Sequence, residues 1–91
     1  MNKFGIKDTF ALESRSFFVL AGDITEGKVA VGMHLNLADH DEINLKILGV
    51  EFIDRILGKE SLVGLCLSLE EVKAKNLENP ELWKSNEVVC S

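Results

Sequence analysis

The sequence predicts an all-β protein, a closed or nearly closed β-barrel with a short helical segment near its C-terminal end. Two observations point there. Apolar and polar residues alternate through the first two-thirds of the chain, which is the period of a strand and not of a helix. The alternating runs are short, recur at roughly eight-to-twelve-residue intervals, and are separated by turn residues, as in barrels. The 91 residues are expected to form one domain, 1–91, with a distinct helix-and-turn segment at 70–85 before the last strand.

Each element has its own local signal. Phe4, Ile6, Phe10 and Leu12 share one parity and predict a first strand with those side chains on one face. Asp8 falls on the same parity and interrupts the apolar row, which predicts a bulge or bend that re-aims it. ESRS (13–16) reads as a turn. SFFVLAGDI (16–24) is apolar on both parities, as expected of a strand covered on both faces. KVAV (28–31) reads as a short strand, HLNLA (34–38) as the next, and the acidic ADHDE (38–42) as a solvated loop. INLKI (43–47) alternates cleanly, and LGVEFI (48–53) extends that strand or bends it at Gly49. DRILGKES (54–61) is a connection to the strand LVGLCLSL (62–69). EEVKAKNL (70–77) then favours helix, Asn79-Pro80-Glu81 carries an N-cap followed by proline at the first helical position, and EVVC (87–90) is a final strand.

One stretch imitates a catalytic motif. GDITEGKV (22–29) is one residue away from the phosphate loop G-x-x-x-x-G-K-[ST], with Val29 in place of the hydroxyl that would reach Mg²⁺. A phosphate loop must run from a strand into a helix whose N–H groups face the anion. Here the chain continues as VAVGMHLNL, β-branched and alternating. The expectation is a turn in which Gly27 supplies a positive φ, with Gly22 and Gly32 marking bends or close backbone approaches. No nucleotide or other cofactor is expected.

Composition narrows the functional classes. No apolar run approaches the roughly 20 residues that cross a bilayer, and the opening MNKFGIKDTF lacks the apolar stretch of a secretory signal. A soluble, cytoplasmic protein with no membrane partner is expected. Cys66 and Cys90 are expected to be free thiols, Cys66 as a small hydrophobe within VGLCLSL and Cys90 as an inert one. The net charge is −5 and the 10 basic residues are scattered, which disfavours broad nucleic-acid binding but leaves room for contact with one end of a nucleic acid. His40, in Asp39-His40-Asp41-Glu42, lacks the alternating oxygen ligands and glycine of a Ca²⁺ loop and the further ligands of a zinc site, so no metal is assigned. No nucleophile–base arrangement is visible and no catalytic residue is assigned. Trp83, following Leu82 and Pro80, either plugs one end of the barrel or, if exposed, is a candidate partner contact.

The runs F-x-I-x-D-x-F-x-L (4–12), F-V-L-A-G-D-I-T-E-G-K-V-A-V-G (18–32), L-G-V-E-F (48–52) and V-G-L-C-L (63–67) together resemble the second domain of translational GTPases of the elongation factor Tu type. The resemblance covers about residues 4–69 and implies a six-stranded closed antiparallel β-barrel, standing without the GTPase domain that precedes it in that family. There the barrel docks on the GTPase domain and helps hold the aminoacylated end of transfer RNA. By resemblance the ligand-binding candidates are Asp8, Phe10 and Glu51. The pattern departs at Lys7, where the family has an acid, at Ala21, where it has a hydroxyl, at Ser14-Arg15-Ser16, at Glu60-Ser61-Leu62 and along 70–91. The resulting expectation is a non-enzymatic binding module with a protein partner, and the alternative is recognition of the 3′ end of transfer RNA.

Overall fold

A computed structural model describes residues 2–37, 40–54, 61–84 and 86–91, with the side chains at 40–42, 53, 54, 61 and 80 left outside the description. Among the described residues seven strands form one antiparallel sheet: β1 (Asn2–Leu12), β2 (Phe17–Glu26), β3 (His34–Leu37), β4 (His40–Lys46), β5 (Gly49–Asp54), β6 (Ser61–Ser68) and β7 (Glu87–Cys90). Their order across the sheet is β4-β3-β7-β1-β2-β6-β5. Two short helices, α1 (Leu69–Ala74) and α2 (Pro80–Trp83), lie between β6 and β7.

The sheet curls into a half-barrel and does not close as the six-stranded barrel expected from the sequence. Two local events account for the difference. KVAV (28–31) forms no strand: Lys28–Ala30 is irregular, and Val31-Gly32 is a turn whose Gly32 N–H donates to the Ile47 carbonyl at 2.9 Å. The run 43–53 bends at Ile47-Leu48 and becomes two strands with different neighbours. The Ile47 N–H donates to Met33 O at 2.8 Å, on the β3 side, whereas the Leu48 N–H donates to Cys66 O at 2.8 Å, on the β6 side. Consecutive strands β4 and β5 therefore become the two opposite edges of the sheet. The sequence left open whether 48–53 extends the preceding strand or bends at Gly49; the chain bends just before it, at Ile47-Leu48, and the switch of partner was not legible. Residues 40–42 belong to β4 and not to a loop, and residues 55–60 of the expected connection lie outside the described residues.

The core fills the concave side. Phe4, Ile6, Phe18, Leu20, Leu35, Leu65, Leu67 and Val88 pack there with Trp83, Val72 and Ile47. β2 is buried continuously from Phe18 to Gly22, as its double apolar parity required. α1 starts at Ser68, whose Oγ accepts from the Glu71 N–H at 3.3 Å. The Asn79 cap also forms: its Oδ1 accepts from the Glu81 N–H at 3.0 Å. Its helix delivers Trp83 to the core at 0% exposure, against Phe18 with ring centroids 6.2 Å apart. The indole N–H is satisfied by Leu77 O at 2.7 Å. Trp83 is thus a plug, and its buried ring presents no surface to a partner.

The glycine stretch is no phosphate loop: Gly22–Glu26 finish β2 and the chain then bends at Gly27. Gly27 has φ 69° and Gly32 φ 94°, both in the left-handed region. No helix starts at Lys28, whose N–H donates to Asn2 Oδ1 at 2.9 Å. Among the described residues no helix is long and apolar enough to cross a membrane.

Candidate functional site

Asp8 sits on the bulge that its parity announced. β1 pairs Ile6 with Gly22 and then Asp8 with Ala21, so Lys7 is the extra residue. The Asp8 carboxylate is engaged there: Oδ1 accepts from the Thr9 N–H at 2.9 Å and lies 3.5 Å from Lys84 Nζ. Lys7 reaches Asp23 Oδ2 at 2.9 Å. The extra residue also reverses the parity of the strand beyond it. Phe4 and Ile6 face the core, but Phe10 and Leu12 pass to the opposite face, where Phe10 pairs with Val19 and is 39% exposed. The expectation that all four share one face is corrected by this one-residue shift.

The register then places the three residues predicted as ligand contacts on one face. Asp8 pairs with Ala21, Ala21 with Gly64, and Gly64 with Glu51, which makes one row across β1, β2, β6 and β5. Phe10, Val19, Cys66 and Gly49 form the adjacent row. Paired residues of neighbouring strands share a face. Asp8 and Glu51 are three strand spacings apart, about 14 Å along the sheet, so the structure aligns them without bringing them together. Between them Val19, Ala21, Gly64 and Cys66 form a buried floor of mostly small side chains.

Electrostatics on this face centres on Cys66. Burial raises its pKa first, the negative charge of Glu51 raises it further, and Arg15 opposes both. Glu51 and Arg15 are thus both within electrostatic reach of the thiol, which stays protonated and poorly nucleophilic. Cys90 faces the core, and burial pushes its thiol up to about 11. Both cysteines are free. Among the described residues no three His, Cys, Asp or Glu side chains gather to hold a metal, and the His40 side chain lies outside those residues.

Two features escaped the sequence reading. Phe52 is 81% exposed on the edge strand β5, although an alternating apolar residue is ordinarily assigned to the core. A cavity of about 270 Å³ lies over Gly5, which pairs with Asp23 on one side and Glu87 on the other. Its walls are closed on themselves by the Lys7–Asp23 pair and by the Thr25 hydroxyl, which donates to Glu87 Oε2 at 2.8 Å. A glycine inside a strand is the signal that could have found it; nothing in the alternation marks Phe52 as exposed.

No family profile, curated protein or solved structure matches this chain.

Proposed function

We propose that this chain is a non-enzymatic binding module that docks on a protein partner through the β5 side of the sheet. The exposed Phe52 ring carries this reading. Covering such a ring is worth about 1.5–3 kcal/mol, enough to make it a binding hot spot. Leu48, 42% exposed at the bend before β5, and the exposed Glu51 extend the surface. The titratable groups support recognition over catalysis. Asp8 is engaged on its bulge, both thiols are held protonated, and Asp8 and Glu51 stand three strands apart with Ala21 and Gly64 between them, not side by side as two carboxyls acting on one bond are. The likeness to the second domain of translational GTPases fits a docking role, and free thiols suit action in the cytoplasm.

Affinity capture from the native cell tests the reading, with Phe52→Asp as control. Wild type is expected to return a specific protein that the variant loses; equal recovery by both would refute the surface.

A second reading, recognition of the 3′ end of transfer RNA, is favoured by one observation: Asp8, Phe10 and Glu51 share a face. Titration with aminoacylated and uncharged transfer RNA would then show salt-sensitive binding that Glu51→Ala weakens. Flat curves at low salt would eliminate it.

A further inference from the structure

The two edges of the sheet are built differently. An exposed edge offers unpaired backbone groups to any passing strand, and proteins blunt such edges with lysine, proline or a covering element. β4 is blunted. It exposes Asn44 and Lys46, and Lys75 of the segment after α1 places Nζ 3.5 Å from the Asn44 carbonyl. β5 is not blunted. Its sequence, GVEFID, has no lysine, arginine or proline, and it exposes Phe52 and Glu51. Among the described residues β6 is its only strand partner.

We propose that β5 is a strand-addition site for a basic, extended segment of another protein, which pairs along Gly49–Asp54. This rests on the binding-module reading and names the partner's chemistry. Side chains alternate across a strand, so Glu51 and Phe52 address opposite faces of the added strand. The incoming segment must alternate too, with Lys or Arg on the Glu51 face and apolar residues on the Phe52 face. Charge excludes a second copy as the occupant. Antiparallel self-pairing of two GVEFID strands would gather four acids and no base, on chains that each carry −5. A cationic segment meets the opposite situation, and its approach is steered by the same net charge.

The full chain is titrated by fluorescence anisotropy with three labelled eight-residue peptides: alternating Lys/Val, alternating Glu/Val, and Lys/Val of the same composition in blocks. Amide hydrogen exchange is followed along 49–54. The alternating Lys/Val peptide is expected to bind, to slow exchange on β5, and to weaken with added salt. Phe52→Ala should weaken it about tenfold or more, and Glu51→Gln should weaken it and reduce its salt dependence. Both positions are exposed, and unchanged far-UV circular dichroism of the variants establishes that they fold. Equal binding of the acidic or blocked peptide, unchanged exchange on β5, or a sedimenting dimer that Phe52→Ala dissolves would each overturn the proposal. If cellular capture succeeds and depends on Phe52 while these peptides fail, the binding module stands and basic strand addition falls.

Discussion

A β-carbon added at Gly22, which pairs with Ile6 beside the bulge, would collide with the Gly5 carbonyl oxygen. Gly22→Ala is therefore expected to cost about 3 kcal/mol or more, since backbone must move. At Gly5 the added carbon meets the Thr25 methyl at 3.2 Å and the Asp23 carbonyl oxygen at an ordinary 3.9 Å, and Gly5→Ala should stay within about 1 kcal/mol. Urea midpoints of the two variants test the contrast; equal costs would refute the close approach. The thiols give a pH signature. Both are raised above 9.0 in the fold, Cys90 to about 11. The unfolded chain releases these protons first, so their contribution is complete below pH about 9 and is lost as pH rises through the folded values. Wild type should lose stability between pH 9 and 11 more steeply than Cys90→Ala does, measured as urea midpoints across that range. The resemblance named Asp8, Phe10 and Glu51, and the broken alternation at Asp8 announced a bulge or bend, of which the structure has the bulge. The sequence could not show that the bulge reverses Phe10's face, because parity across a bulge depends on the partner strand.

At the scale of elements, neither helix stands on its own propensity. α1 spans 6 residues and α2 spans 4, far below the roughly 12–15 at which isolated helices become marginal in water. Caps and buried residues hold them: Ser68 with Leu69 and Val72, Asn79 with Trp83. Ser68→Ala is expected to cost about 1 kcal/mol, read from the thermal midpoint. β7 shows the reverse relation between length and importance. Its 4 residues lie between β3 and β1 and join the β3–β4 pair to the rest of the sheet, with Val88 fully buried. Val88→Asp would bury a charge without a partner and should abolish the cooperative melt by circular dichroism. The strand at 87–90 and the Asn79-Pro80 start were legible because both are local patterns. The strand expected at 28–31 fails because alternation alone cannot supply a neighbour to pair with.

At the scale of the molecule, the Cα radius of gyration is 12.1 Å, close to the roughly 12 Å of a compact domain of this length. One apolar cluster joins residues from every strand but β5, and Val50 of β5 packs against it. Unfolding is therefore expected to be a single transition. The lone tryptophan reports directly from that core, so its fluorescence and far-UV circular dichroism should give coincident urea curves; separated midpoints would show that the tail segment unfolds independently. By itself the sequence determined the all-β class, most strand positions, an irregularity at Asp8, the positive φ at Gly27 and the helix start at Asn79. These depend on neighbours within a few residues, where backbone sterics, capping and two-residue alternation act. Only the tertiary structure decided that the sheet remains a half-barrel, that β4 and β5 become its edges, that Trp83 is buried, and that Phe52 faces water. Those outcomes depend on which distant backbone groups each strand finds. Register, and with it the face each side chain takes, is fixed when strands pair and not by the chain alone.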